Sequence, residues 1–355
     1  MTETIQINIR KVKKSRIAEL EINALSFGKL FSDHMFVGDY TGGQWKEANI
    51  LPYEKMLLSP STSAIHYGQA IFEGLKAYKN SKGEVLLFRP QANHKRINIS
   101  AKRMSMPEIP EDLFIEAIVQ LLKIDKDWVP EAEGCSLYIR PLLIGTDEYI
   151  GVKPSETYKL IIFTAPVGFY YTEPVKVVVE TNYIRAVEGG VGYVKASGNY
   201  GRSLYPSKLA QQKGYHQIIW TDARHHRYVE ESGTMNLMFV TDNVLVTPPL
   251  GDTILAGITR DSVLTIARDW GMKVEERKIS IDEVAEAIKN NTLQEAFGTG
   301  TAATIANICL IGIEGKDYVL PPITDQLFSA RVSKELDGIK RGTIADKHGW
   351  ILKVC

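Results

Sequence analysis

Short, β-branched apolar runs set the first limit on what this chain can fold into, because they outnumber the helices available to connect them in parallel. The runs at 84–89 (EVLLFR), 136–144 (SLYIRPLLI), 158–165 (YKLIIFTA) and 175–180 (VKVVVE) read as strands bounded by glycine or proline. In the second half QIIW, NLMFV and VLVT repeat the pattern, with turn residues between them. Helices interrupt these runs irregularly. The segment 112–124 places Leu113, Ala117, Leu121 and Ile124 along one helical face. Thr259 reads as the N-cap of a helix that Gly271 closes, and Ser280 with Glu283 forms a capping-box pair ahead of VAEAIKNN. Strands without regularly interleaved helices predict an α+β fold rather than a doubly wound sheet. At roughly 100–200 residues per domain, 355 residues predict two domains. The best boundary is the aromatic, Gly- and Pro-containing stretch APVGFYYTEP (165–174).

Charge and cysteine usage then exclude several classes of function. Lys+Arg 42 is offset by Asp+Glu 42, so no net field draws the chain to nucleic acid or anionic lipid. Cys135, Cys309 and Cys355 are far apart and odd in number, which fits neither a disulfide framework nor a zinc ribbon. The start, MTETIQINIRKVKKSR, is polar and basic without an apolar h-region, and Glu3 argues against a transit peptide. No run reaches the roughly 18 apolar residues that a membrane-spanning helix needs. The expectation is a cytoplasmic protein in a reducing compartment, with no metal, membrane or nucleic-acid partner.

Chemistry concentrates in the second half. From Gly189 to Gly201, within GGVGYVKASGNYGR (189–202), five glycines and two tyrosines surround Lys195, the one charged residue of that stretch. Glycine at such density lets the backbone run close to something bulky. An amine with no local counter-ion is a candidate for burial and nucleophilic chemistry; the alternative is a flexible loop whose lysine points into water. Neither GxGxxG nor GxxxxGK(S/T) is present. In VEESGTMNLMFV (229–240), Glu230 and Glu231 end a strand, where a carboxylate can reach a protonated ring nitrogen or sit in solvent. ILAGITRDSVL (254–264) feeds a Gly257–Ile258–Thr259 turn into a helix whose first N–H groups suit a phosphate, or which is simply capped. GTGTAA (298–303) is an anion nest with the Thr301 hydroxyl, or a tight turn. A lysine, a carboxylate and two phosphate-type turns are the parts pyridoxal phosphate requires: an amine for a Schiff base, an acid for the pyridine nitrogen, and an anion cradle.

Longer blocks go further. SFGKLFSDHM (26–35), HYGQAIFEGLKAY (66–78), LFRPQANHKR (87–96), DKDWVP (125–130) and LYIRPLLIG (137–145) occupy the first half. GGVGYVKASGNYG, ESGTMN, TPPLGDTILAGITR (247–260) and FGTGTA (297–302) occupy the second. Through them nearly the whole chain resembles the branched-chain amino acid aminotransferases of the fold-type IV pyridoxal-phosphate enzymes, the longer, eukaryotic-like subgroup in particular. The resemblance implies that Lys195 carries the cofactor and shuttles the proton, and that Glu231 pairs with the pyridine nitrogen. It implies that Tyr200 bonds the phenolic oxygen and that Arg96, Gly257, Ile258, Thr259 and Thr301 hold the phosphate. Arg185 would lie close to the same cofactor and Leu255 would pack on its ring. Phe27, Tyr67, Phe72, Tyr138, Tyr170, Thr234 and Ala302 would line the substrate site, with Arg140 receiving the distal carboxylate of glutamate.

By the same resemblance the architecture is a small domain over 1–167, a linker over 168–177 and a cofactor domain over 178–355, assembled as a homodimer. The implied reaction moves an amino group from L-leucine, L-isoleucine or L-valine to 2-oxoglutarate. The sequence departs from mammalian relatives where they carry a C-x-x-C pair: Ala303 and Ala306 stand there, which predicts no thiol switch. Two alternatives stay open, a D-amino acid aminotransferase or aminodeoxychorismate lyase of the same fold type, and a non-catalytic binding protein on this scaffold. His225 and His226 read as turn residues rather than metal ligands, Trp128 as a packing anchor, and KVKKSR (11–16) as a solvated arm. His66 falls in a family block and is expected near the site.

Overall fold

The computed structural model describes residues 6–355; residues 1–5, with Glu3, lie outside it. Internal contacts divide the chain into two units. One holds Met1–Tyr170, Val194–Gly198 and Gly338–Cys355; the other holds Tyr171–Tyr193 and Asn199–Asp337. The chain thus returns twice to the first unit, which differs from an unbroken second domain over 178–355. The C-terminal return has a plain cause. Ile351–Lys353 pairs antiparallel with Val85–Phe88 and satisfies the backbone groups of what would otherwise be an open sheet edge. Arg341 adds a bond to the Cys135 carbonyl at 2.8 Å.

In the first unit the strand Tyr158–Val167 lies between His34–Thr41 and Ser136–Gly145, with Leu75–Lys79 and Val85–Phe88 beyond the latter. Alternation along Ser136–Gly145 sorts its side chains. Leu137, Ile139 and Leu143 enter a core shared with Phe36, Ile50 and Leu160, while Tyr138, Arg140 and Leu142 turn to the other face. The helix Glu111–Ile124 buries Leu113, Ala117 and Leu121 against that core, as its spacing predicts. Trp128 is an anchor with a polar handle, since its indole N–H donates to Asp33 at 3.0 Å. The 11–16 segment is not a free arm. Val12 N–H donates to His34 Nε2 at 2.9 Å and Arg16 N–H to Asp33 at 2.9 Å, although Lys11, Lys13 and Lys14 stay exposed.

The second unit closes its sheet. Val229–Ser232 pairs with both Gln217–Thr221 and Met235–Thr241. The ring continues from Gln217–Thr221 through Val175–Val179, Thr304–Ile313 and Leu293–Gly300 back to Met235–Thr241. Val177, Ile219, Leu237, Phe239 and Ile311 fill the associated core. The helix Ile258–Asp269 begins two residues earlier than its sequence predicts. Gly257, still extended at ψ 127°, is the N-cap, and Thr259 lies inside the first turn. Gly271 ends the helix at φ +72°, a conformation glycine adopts without strain. Ser280 accepts the Glu283 N–H at 3.0 Å, but the Glu283 carboxylate binds Arg277, so the capping box is half formed. Among the described residues no helix is long and apolar enough to cross a membrane.

Candidate active site

Lys195 is half-buried, and its peptide is gripped on both sides. Its N–H donates to Ser100 Oγ at 3.0 Å, and its carbonyl accepts the Phe72 N–H at 3.1 Å. The lysine segment is therefore not a flexible loop at this point. Its Nζ stands 4.9 Å from the centroid of the Phe72 ring. Ser100 comes from the helix Pro90–Arg103, where Asn93, Arg96 and Ser100 share one face. That face also meets Glu73, which is fully buried. Arg96 donates from Nε to Glu73 Oε1 at 2.7 Å and from Nη2 to Oε2 at 2.8 Å. Asn93 adds a bond to Oε2 at 2.7 Å and the Gly74 N–H another at 3.1 Å. Burial pushes the Glu73 carboxyl up, but Arg96, its hydrogen bonds and the Lys195 charge together hold it below the ordinary carboxylate value.

An aromatic group adjoins the lysine in the same unit. Phe27 meets Tyr138 edge-on at 5.0 Å and Tyr170 at 5.2 Å. Arg140 stands 4.5 Å over the Phe72 ring and donates to the Tyr138 hydroxyl at 3.1 Å. The buried Arg140 Nε has no hydrogen-bond partner. Gly74 makes this packing possible, because a Cβ there would overlap the Tyr138 hydroxyl. Phe27, Phe72, Tyr138, Arg140, Tyr170 and Lys195 thus form one cluster. Tyr67 does not join it: it is 41% exposed at the end of the helix Ser63–Tyr67. His66 also stays outside, exposed and bonded to the Pro60 carbonyl at 2.7 Å.

In the second unit a two-residue turn sets the geometry. Ser232 pairs with Met235 across Gly233 and Thr234, and the +56° φ of Gly233 suits a tight hairpin. Glu231 then stands opposite Asn236. Arg185 Nε lies 3.0 Å from Glu231 Oε2, and the Leu255 N–H donates to Oε1 at 2.7 Å. Asn236 Nδ2 holds the Leu255 carbonyl at 2.9 Å, which fixes the segment leading into Gly257, Ile258 and Thr259. The remaining Arg185 donors go to the carbonyls of Thr253 at 2.6 Å and Gly192 at 3.3 Å. Arg202 ties the block carrying Tyr200 to the Arg185 carbonyl at 3.1 Å, and Asn199 ties it to Val191 at 2.7 Å. Thr301 and Ala302 lie in the loop between paired Gly300 and Thr304; Gly300 in turn packs beside the Thr234 carbonyl. The helix start at Gly257 has no side-chain cap, and a Cβ at Gly257 would overlap Asn236 Oδ1.

Both glutamates of the pair are buried, at 7% and 2% exposure, so solvation is not their role. Glu230 lies beside Glu231 where the pairing with Gln217–Thr221 is irregular, so it does not share the contacts of its neighbour. It lines a separate cavity of about 590 Å³ with Asp222, Tyr228, Pro248, Thr253 and Ile254. Burial pushes its carboxyl up to about 7, against the Thr253 hydroxyl and the Arg185 charge. Its Oε2 has no partner. Glu73, Ser100 and Asn236 carry no motif that marks them in the sequence. The spacing of Asn93, Arg96 and Ser100, a polar stripe on a helix, was the available signal for the first two; Asn236 follows only once the hairpin register is known.

Comparison with known proteins gives a consistent result. Residues 70–311 match the family model described as amino-transferase class IV. The chain is 44% identical to branched-chain-amino-acid aminotransferase 2 of Bacillus subtilis (strain 168), over 99% of this chain and 97% of that one. Its fold is similar to the branched-chain aminotransferase of Thermoproteus uzoniensis solved with norvaline, with TM-score 0.75 and 28% identity over 91% of this chain and 100% of that one. It is also similar to the T.th. branched-chain amino acid aminotransferase complexed with N-(5'-phosphopyridoxyl)-L-glutamate, with TM-score 0.72 and 26% identity over 90% of this chain and 98% of that one.

Proposed function

This chain belongs to the branched-chain amino acid aminotransferases of the class IV amino-transferase family, and from that premise we propose that it transfers the amino group of L-leucine, L-isoleucine or L-valine to 2-oxoglutarate with pyridoxal 5'-phosphate on Lys195. The residues fit that group by their chemistry: a held lysine, a buried carboxylate, and a helix start without a side-chain cap. When bound, the cofactor supplies an aldehyde that condenses with amines and a ring that takes up electron density. The observation that carries the reading is Glu231, a carboxylate at 2% exposure fixed by Arg185 and the Leu255 N–H. A buried carboxyl group fixed in this way is placed to hold a proton on a ring nitrogen set against it.

The chain's own residues then divide the work. Lys195 moves the proton of the substrate α-carbon. Arg96, the Gly257–Ile258–Thr259 helix start and Thr301 hold the phosphate. Tyr200 bonds the phenolic oxygen, Arg185 fixes Glu231, and Leu255 packs against the ring. Phe27, Phe72, Tyr138 and Tyr170 accept an aliphatic side chain, with Thr234 and Ala302 completing the lining. Arg140, whose Nε has no partner, receives the distal carboxylate of glutamate. This lets one site take both substrates in turn. A difference of one methylene is worth only about 1–3 kcal/mol, so all three branched-chain acids are expected to serve.

We further propose a homodimer in the cytoplasm. Leu57, Ile65, Ile150 and Val152 are exposed on two segments joined by the Thr62–Glu148 bridge, an apolar surface that a second copy would cover. The three free cysteines suit a reducing compartment. The test is the visible spectrum of the purified protein. L-leucine should convert the band of lysine-bound cofactor to that of the amino form, and 2-oxoglutarate should restore it. A band that answers only to D-amino acids, or no band after incubation with pyridoxal phosphate, overturns the reading. Lys195→Ala should remove turnover and leave a folded protein by circular dichroism.

A further inference from the structure

We propose that Glu73 is a positioning residue that aims Arg96, so that the phosphate affinity of the site depends on a carboxylate that touches no ligand. This rests on the reading of Arg96 as a phosphate ligand. Glu73 is fully buried, and four donors converge on it: Nε and Nη2 of Arg96, Nδ2 of Asn93 and the Gly74 N–H. The two parallel bonds to Arg96 fix the plane of the guanidinium as well as its place. The same short segment steadies the lysine, because the Phe72 N–H holds the Lys195 carbonyl at 3.1 Å. Ser100 closes the arrangement, donating its hydroxyl to the Arg96 carbonyl at 3.1 Å while it accepts the Lys195 N–H. The arginine and the lysine are therefore referred to one rigid corner of the first unit.

Only an ionised carboxylate satisfies this corner. Every partner of Glu73 is a donor, so the amide of glutamine would place an N–H against a donor in either flip. With Oε1 replaced, the bond from Arg96 Nε is lost; with Oε2 replaced, the bonds from Arg96 Nη2, Asn93 and the Gly74 N–H are lost. Aspartate keeps the charge but falls one methylene short. In both cases the guanidinium loses the paired bonds that set its plane while its charge remains.

The test separates aim from general stability by using two ligands. Full-length protein stripped of cofactor is titrated with pyridoxal 5'-phosphate and with pyridoxal, and the visible band of the lysine-bound form gives each Kd. Glu73→Gln should weaken pyridoxal phosphate by roughly 10–100-fold and pyridoxal by less than about twofold. Equal weakening of both, or of neither, overturns the proposal. Arg96→Gln is measured beside it. If that variant binds the two ligands in the wild-type ratio, the phosphate reading of Arg96 fails, and the proposal with it. If Arg96→Gln loses the discrimination and Glu73→Gln keeps it, the role of Glu73 alone is wrong. Should Glu73→Gln not fold, Asn93→Ala removes one donor and leaves the ion pair in place. It should weaken pyridoxal phosphate several-fold and selectively, and an equal effect on both ligands overturns the proposal.

Discussion

The two units each bury an arginine–glutamate pair, and the pairs are built in opposite senses. In the first, Glu73 gives both its oxygens to Arg96, Asn93 and Gly74, so the carboxylate serves the guanidinium. In the second, Arg185 contacts Glu231 through Nε and gives its other donors to the carbonyls of Gly192 and Thr253. There the guanidinium is a fixed buttress and the carboxylate is what it presents. A buried ion pair is weak evidence for stability in itself, since desolvation offsets much of the attraction. Its value here is orientation. One pair holds out a cation suited to a phosphate, the other an anion suited to a ring N–H.

The comparison breaks first at Glu231. Glu231→Gln should lower kcat by roughly 100–10,000-fold, with the cofactor still bound by its visible band. A loss seen only as weaker cofactor binding would mean that Glu231 acts in positioning, as Glu73 does for Arg96. Its neighbour supplies the next test. The folded state keeps a proton on Glu230 up to about pH 7, whereas an ordinary glutamate gives it up near 4.5. The resulting stabilisation is full below the lower value and is lost as pH rises through the higher one. Above pH 7 the native state buries a charge whose Oε2 lacks a partner. Glu230→Gln should therefore gain stability relative to wild type as pH rises from about 5 to 8, by up to roughly 3 kcal/mol, read as a widening difference in Tm. A constant difference would show that Glu230 is ionised throughout. The smallest effect belongs to Arg140, a cation with no acidic partner among the described residues. Arg140→Met should slow the glutamate half-reaction by roughly ten- to hundredfold and leave the leucine half-reaction nearly unchanged. Equal slowing of both would assign Arg140 to the common carboxylate end.

Sequence and structure agree most closely where the signal is local. The strand Ser136–Gly145 and the helix Glu111–Ile124 follow their periodicity to within a residue or two, because each buries one face against the same core. Gly271 closes its helix for a conformational reason that any neighbouring sequence would share. Disagreement begins where burial is decided at a distance. Paired glutamates ordinarily belong in solvent, yet Glu230 and Glu231 lie in a strand with neighbours on both sides and are covered there. The basic 11–16 segment reads as solvated because its partners, Asp33 and His34, are some twenty residues away. Thr259 lost the N-cap position to Gly257, where close approach to Asn236 admits no side chain.

What the chain alone determined was its chemistry: an isolated lysine among glycines, a carboxylate at a hairpin, small-residue turns, and the blocks that mark its family. These are short-range patterns, and the residue types themselves limit what they can do. Tertiary structure decided which groups serve which. It placed Glu73 beneath Arg96 from a strand end over twenty residues away, and it brought Arg185 to Glu231 across forty-six positions of sequence. It also gave two adjacent glutamates different surroundings, one paired with Arg185 and the other lining a cavity. Charge and hydrogen-bond partnership depend on distances of about 3 Å between groups far apart in the chain, and packing of strands and helices, rather than local propensity, sets those distances.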